Sequence, residues 1–492
     1  MKKSLDDKVV TLVVPAGWGP LTPPQQSTYI AAVILGNVFQ SLVEYDMHGN
    51  LRPQLAVSWT VSPDLSIYTF TLDINRRFSN GQRVTSSIVK NAFEGALKVD
   101  AASANKSSLD VLYQLEEFEL FAKTGVLSGI ETPSEKTLIM KFKKPYRQAL
   151  SFLTGSRYGI YISANNDQYY GTGPYQFETF SENEVRLKPN PYSSEKAPFS
   201  HARIIGVAEW EFEDAVCQKL ADVYWIGRAS RFRQCYDEDS LKMVFSSGAV
   251  TSHLVIEVNG NAGELFSSSK MRQAIQYLVM KKAKNVLHDY LDLKRVTFDD
   301  QFIMPLQPGR LNQQEVDLLI EKGSKWVPEL IQQSKQKPIR FWIQDEKDLA
   351  LVNRLKEEGL SIVSNEKPMP KSQAMKIFYK TQEYDLLVAH IGFGMKDPDD
   401  LYHFLGKYGA ITSPSIGRNL VWDALEEGRS IPDLSVFDAP YQKLSRAILT
   451  EVPAIHISYT RTGFLYNAHN IELKSSSLNS IRFNLSFFKP TN

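Results

Sequence analysis

The stretch Gly171-Thr-Gly-Pro-Tyr-Gln-Phe177, followed by Val185-Arg-Leu-Lys-Pro-Asn-Pro-Tyr192, decides how this chain is read. Two glycines flank a threonine, and Pro174 fixes the backbone that leads into Tyr175. Gly171 and Gly173 are expected to supply positive φ, so the segment reads as a tight turn feeding a β-hairpin. Upstream, Val9–Pro15 is a short apolar run of strand type, and residues 17–24 are a Gly/Pro loop. Residues 29–43 carry helical spacing. Gly49-Asn50 marks a hairpin turn. Tyr68, Phe70, Leu72 and Ile74 alternate with polar residues, the period of a half-buried strand. Thr85 is placed to cap a helix through Val89 and Phe93, and Leu138, Met140 and Phe142 alternate again.

Downstream, residues 204–207 and 223–226 read as strands around a helix at 213–220. Residues 254–258 are a further strand, and Met271, Ala274, Ile275 and Leu278 share a helix face. From Pro338 the pattern is α/β, with strands at 339–343, 359–363 and 384–391 and helices at 348–358 and 373–379. The run Tyr384-Asp-Leu-Leu-Val-Ala-His-Ile391 is nearly all apolar, the signature of a strand covered on both faces. Phe437, Tyr441, Leu444 and Ile448 form one face of a late helix. Residues 453–459 read as a strand, and 480–488 as a return to the first body.

The chain has 492 residues, 43% hydrophobic and 23% charged, with a net charge of +1. That is enough apolar material for several cores, and it lacks the basic surplus of a nucleic-acid binder. Cys217 and Cys235 are the only cysteines; they suit one disulfide or two free thiols, and their spacing matches no zinc motif. Nothing approaches the ~18 apolar residues of a membrane span. The first eight residues have a basic onset without an apolar stretch behind it.

No catalytic constellation is visible. Gly392-Phe-Gly394 lacks the third glycine of a dinucleotide loop, since Asp397 stands there. Gly155-Ser-Arg-Tyr-Gly159 is not a nucleophile elbow, having Ser in the wrong place. The histidines are scattered, with His390 and His403 the nearest to a pair, and read as satisfied core or surface residues. Asp397-Pro398-Asp399-Asp400 reads as a helix N-cap with Pro at the first helical position. Residues 392–396 precede it, beyond the carboxyl end of a strand, where open α/β sheets place ligands. Tyr169-Tyr170 and Tyr224-Trp225 suit a core or a cleft wall equally.

Several blocks resemble, in order, the extracytoplasmic solute-binding proteins of family 5, the peptide-binding components of ABC importers. They are Asn37-Val-Phe-Gln-Ser-Leu-Val-Glu-Tyr-Asp46 with Gly49-Asn-Leu-Arg-Pro-Gln-Leu-Ala-Val-Ser-Trp59, Tyr68-Thr-Phe-Thr-Leu72 with Arg77-Phe-Ser-Asn-Gly-Gln-Arg-Val-Thr85, the turn at 171–177, Met271-Arg-Gln-Ala-Ile275, residues 384–401 and Pro453-Ala-Ile-His-Ile457. The resemblance implies an α/β, two-lobed periplasmic binding protein fold of the class II, cluster C type. It adds an α+β subdomain on the first lobe and two hinge crossings. The divisions it implies are 1–35, 169–253 and 459–492 for lobe I, 36–168 for the subdomain and 254–458 for lobe II, with crossings near 254–258 and 455–459.

The function so implied is capture of a short peptide, held as an added strand, and delivery to the permease subunits of an ABC importer. It implies a monomer without a cofactor or metal, no nucleic-acid partner and no enzymatic turnover. The location implied is periplasmic or extracytoplasmic, after removal of a leader and with or without a lipid anchor. The candidate contacts are Tyr29, Asn165, Asn166, Tyr224, Trp225, Gly392, Phe393, Gly394, Met395 and Asp397. One departure stands out. Peptide-binding members carry an Asp three residues before Asp-Pro for the ligand ammonium, and Gly394 occupies that place; the usual Trp falls on Ile391. A buried ammonium without a carboxylate is costly, so Asp397 or Asp399 takes over by a loop shift, or the ligand's amine lies elsewhere, or the cargo is a modified peptide such as glutathione, a metal chelate, haem or a sugar. A peptide hydrolase and a sensor or chaperone are the remaining alternatives.

Overall fold

A computed structural model describes residues 9–26, 28–102, 109–164, 168–208, 211–226, 241–245, 251–260, 264–289, 296–305, 307–343, 348–365, 383–393, 398–406, 420–431, 438–475 and 484–491. Two large sheets organise them. The first has the order Tyr175–Phe180, Glu184–Pro189, His201–Val207, Val9–Pro15, Val223–Ile226, Gly463–Asn467, Leu241–Phe245. Val9–Pro15 lies parallel to both of its neighbours, and the outer pairs are antiparallel. The second has the order Val296–Phe298, Ala454–Arg461, Thr251–Val258, Leu386–Phe393, Ile339–Trp342, Ile362–Ser364. Its last three strands run parallel and the rest antiparallel.

Both sheets are covered on two faces, as the near-continuous apolar strands require. Leu254, Ile256 and Val258 face one core, while Val255 faces another with Ala389 and Ile391. In the first sheet Val10, Leu12 and Val14 face a core shared with the helix Tyr29–Leu35, and Val13 faces the opposite way. Leu485, Phe487 and Phe488 join that first-lobe core, so the C-terminal segment does return. A third body has a four-stranded antiparallel sheet, Ala56–Val61, Ile67–Leu72, Thr137–Lys141 and Ile130–Ser134. The helix Ser86–Ala102 and a core of its own complete this body.

The chain passes between the large sheets twice. One passage lies between Phe245 and Thr251; the other is Thr462 alone, between Ala454–Arg461 and Gly463–Asn467. The strands expected to be the crossings, 254–258 and 455–459, therefore belong wholly to the second sheet, and the exchange falls outside them. Alternation of apolar residues identifies a strand but not where it changes partner sheet.

The turn at 171–177 corrects another expectation. Neither Gly171 nor Gly173 has positive φ. They are needed for space: a Cβ on Gly171 would lie 2.0 Å from the Val38 carbonyl oxygen, and one on Gly173 2.6 Å from that of Asn37. Gly173 N donates to Val38 O at 2.9 Å, so the turn is stitched to the end of the helix Tyr29–Leu35. The hairpin itself, Tyr175–Phe180 with Glu184–Pro189, forms as expected. The helix expected over 29–43 ends at Leu35, and Val43 opens a short strand. The helix expected at 373–379 lies outside the described residues.

Candidate functional site

The first-lobe wall of the site starts at Thr28, whose hydroxyl accepts from Ala31 N at 3.1 Å and donates to Trp18 O at 2.8 Å. This cap sets Tyr29 at the first helical position. Its ring stacks on Trp225, with centroids 5.4 Å apart and planes 28° from parallel. Trp225 is 9% exposed, and its indole N–H finds no acceptor among the described residues. Leaving such a donor buried and unbonded costs about 1–3 kcal/mol.

Strand alternation separates Tyr224 from its neighbour. Tyr224 is fully buried on the opposite face, against Val13 and Leu465, and its hydroxyl accepts from Ala221 N at 2.7 Å. Burial pushes its pKa up to about 12. It is a core residue and does not share the Trp225 side of the sheet.

On the second lobe, Gly392 and Phe393 continue the strand Leu386–Phe393, paired with Ser252 and Thr251, instead of forming a loop beyond it. A Cβ on Gly392 would meet nothing within 4 Å, so this strand end borders open space. Asn165, Asn166, Gly394, Met395 and Asp397 lie outside the described residues.

Asp399, offered by the sequence as a substitute partner for a ligand ammonium, is committed elsewhere. It has no exposed surface, and its carboxylate accepts from Arg429 Nε at 3.3 Å. Arg429 Nη1 donates to Asp110 Oδ2 at 2.7 Å, and Tyr146 donates to the same oxygen at 2.7 Å. Asp110 and Tyr146 belong to the third body, Asp399 and Arg429 to the second lobe. The guanidinium carbon sits 3.3 Å from the Tyr402 ring centroid and 4.6 Å from that of Tyr146. Burial opposes the charge, yet Asp110 and Asp399 outweigh it and hold the guanidinium pKa well above its usual value. In the sequence this cluster shows as no more than charge inside apolar surroundings, Leu109-Asp-Val-Leu112 and the helix Leu420–Arg429.

The true histidine pair is also remote in sequence. His253 and His456 sit on adjacent central strands, with Nδ1 of His253 2.7 Å from Nε2 of His456. Nδ1 of His456 lies 2.8 Å from Asp299 O, a pure acceptor, so that nitrogen carries the proton. Nε2 of neutral His456 therefore accepts from His253. Burial holds both imidazoles below their ordinary pKa, His253 well below. No group of three or more metal-ligating side chains occurs among the described residues, and none of their helices is long and apolar enough to cross a membrane.

Residues 50–291 match the profile of bacterial extracellular solute-binding proteins, family 5, middle. The dipeptide-binding protein DppE of Bacillus subtilis is 23% identical over 207 residues, 41% of this chain and 34% of that protein. The alignments thus span about a third of the curated relatives they match. Likeness in fold extends to the whole chain. The binding protein AgaA of A. tumefaciens R10, solved with agropinic acid, superposes with a TM-score of 0.79 at 18% identity, covering 99% of both chains. Haemophilus influenzae OppA, solved with the peptide RPPGFSPFR, gives 0.79 at 15% identity, covering 99% of this chain and 100% of that one. The two-lobed α/β fold with its added third body is the fold of these binding proteins, and just under half of the chain matches the profile of family 5 of the bacterial extracellular solute-binding proteins.

Proposed function

We propose that this chain is the substrate-binding component of an ABC importer, capturing short peptides between its lobes and passing them to the permease without chemical change. Trp225 is the observation that carries the reading. It offers a buried indole donor with no acceptor among the described residues, braced by Tyr29, and a peptide carbonyl or carboxylate would satisfy it. The open strand end at Gly392 supports a peptide lying alongside as an added strand. The contact set we propose is Tyr29, Asn165, Asn166, Trp225 and residues 392–397; Tyr224 is left out of it. The protein acts as a monomer outside the cytoplasm. Cys217 is disulfide-bonded, which fits an oxidising compartment.

A second reading keeps the fold and changes the cargo to a modified peptide or another small acid. Gly394 in place of the ammonium-pairing Asp favours it, and so does the burial of Asp399 against Arg429. Native mass spectrometry of the purified protein, before and after mild unfolding, separates the two. A ladder of short-peptide masses is the expected result. A single discrete mass that is not a plain peptide replaces it with the second reading, and chemical alteration of added peptides would overturn both.

A further inference from the structure

We infer that Arg429 is a latch that holds the third body against the second lobe and so favours the closed arrangement of the lobes. The inference rests on the reading above in one respect, that the lobes open and close about the cargo.

Arg429 ends the helix Leu420–Arg429 of the second lobe and reaches into the third body. There its guanidinium lies over Tyr146 and near Phe152, at 4.6 and 5.5 Å from the ring centroids, and pairs with Asp110. On its own lobe it packs against Tyr402 and holds Asp399. The cation that bridges the bodies thus holds one carboxylate from each side of the boundary. Two further contacts cross the same boundary. Gln114, which donates to Asp110 within the third body at 3.2 Å, also donates across that boundary to the Tyr402 hydroxyl at 3.3 Å, while Lys144 Nζ lies 3.9 Å from Glu426. Tyr402 in turn donates to Glu426 at 2.6 Å.

The chemistry suits a latch better than a glue. All three charged groups are buried, Arg429 at 3%, Asp110 at 1% and Asp399 at 0% exposure. Their attraction is largely offset by lost hydration, so their net contribution is modest, but they tolerate only one arrangement. When the lobes part, Asp110 leaves with the third body and Arg429 stays with Asp399, both now solvated. The planar fork, clamped between aromatic faces, re-forms its bonds at a single inter-lobe orientation. By linkage, cargo that favours the closed arrangement strengthens the latch, and the latch strengthens cargo binding by the same factor.

The test is single-molecule energy transfer on the full-length chain, stripped of cargo by unfolding and refolding. Dyes are placed through unnatural amino acids at the exposed positions Phe180 and Leu318, one on each lobe. Closed and open populations are counted for the unmodified chain, R429M, D110N, R429M/D110N and Y402F. We expect the closed-to-open ratio to fall at least tenfold in each single charge variant and no further in the double, with R429K intermediate and Y402F lowered more mildly. Ratios within twofold of the unmodified chain, or effects that simply add in the double variant, overturn the inference. So does an unmodified chain without a closed population. Should R429M not fold, D110N and Y402F decide it. No cargo is added, so the outcome stands apart from the mass-spectrometric test of the cargo class.

Discussion

At the residue scale, two glycines of similar sequence setting have opposite demands. Gly171 lies against the Val38 carbonyl with no room for a methyl, whereas Gly392 faces open space. Gly171→Ala is expected to cost about 1–3 kcal/mol as the backbone yields, and Gly392→Ala to leave the melting temperature unchanged; parallel thermal melts check both. The His253–His456 pair makes a pH prediction. Both folded-state pKa values lie below the ordinary ~6.5, so the unfolded chain binds protons that the folded chain refuses. The pair's contribution is intact above about pH 6.5 and declines as pH falls toward the folded-state values, by up to about 1.4 kcal/mol per pH unit for each imidazole. Urea midpoints between pH 7.5 and 5 should fall steeply for the native chain and less so for His253→Gln/His456→Gln. Neither feature was fully readable beforehand. The glycines were visible, but a missing side chain has several uses, and only the neighbouring carbonyl tells a steric need from a dihedral one. The histidine pair joins strands 203 positions apart, a separation that local spacing cannot register.

At the element scale, most strands and helices announced themselves through apolar run, period and capping, because the run or period of apolar residues follows the number of faces an element buries. Strand 9–15, the hairpin after Pro174 and the helix from Met271 follow that rule. The errors came where an element ends for tertiary reasons. The helix beginning at Tyr29 stops at Leu35 although apolar residues continue, since Asn37 turns the chain. Asn37 Nδ2 donates to Val33 O at 2.8 Å, and its Oδ1 accepts from Leu485 N at 2.8 Å. One amide thus closes the helix and receives the C-terminal segment. Asn37→Ala should cost about 1–3 kcal/mol by stranding a buried N–H, measurable by chemical denaturation. The strand ending at Phe393 runs two residues further than its apolar run, so Gly392 is part of a paired strand instead of a free loop. The helix Phe212–Cys217 carries a disulfide, and Cys235 is the other cysteine of the chain. Thiol reagents are expected to leave the native protein unlabelled, and reduction should lower stability by about 3 kcal/mol for a loop of this size.

At the scale of the whole molecule, the two lobes were legible because ordered blocks run the length of the chain, and the third body because it has its own strand-and-helix pattern. The bond between that body and the second lobe was not, since it depends on single charges from helices far apart in sequence. Thr462→Gly is expected to broaden the spread of inter-lobe distances in the same energy-transfer measurement, while both lobes keep their melting behaviour, because glycine frees the backbone at that point. Thr462 also limits the kind of motion open to the molecule. A connection of one residue between two hydrogen-bonded strands has only two soft torsions to spend. It can swivel but it cannot lengthen, so one lobe cannot slide past the other at that seam. The jaws must turn about a nearly fixed fulcrum, like pliers, and the largest travel falls on whatever lies farthest from residue 462.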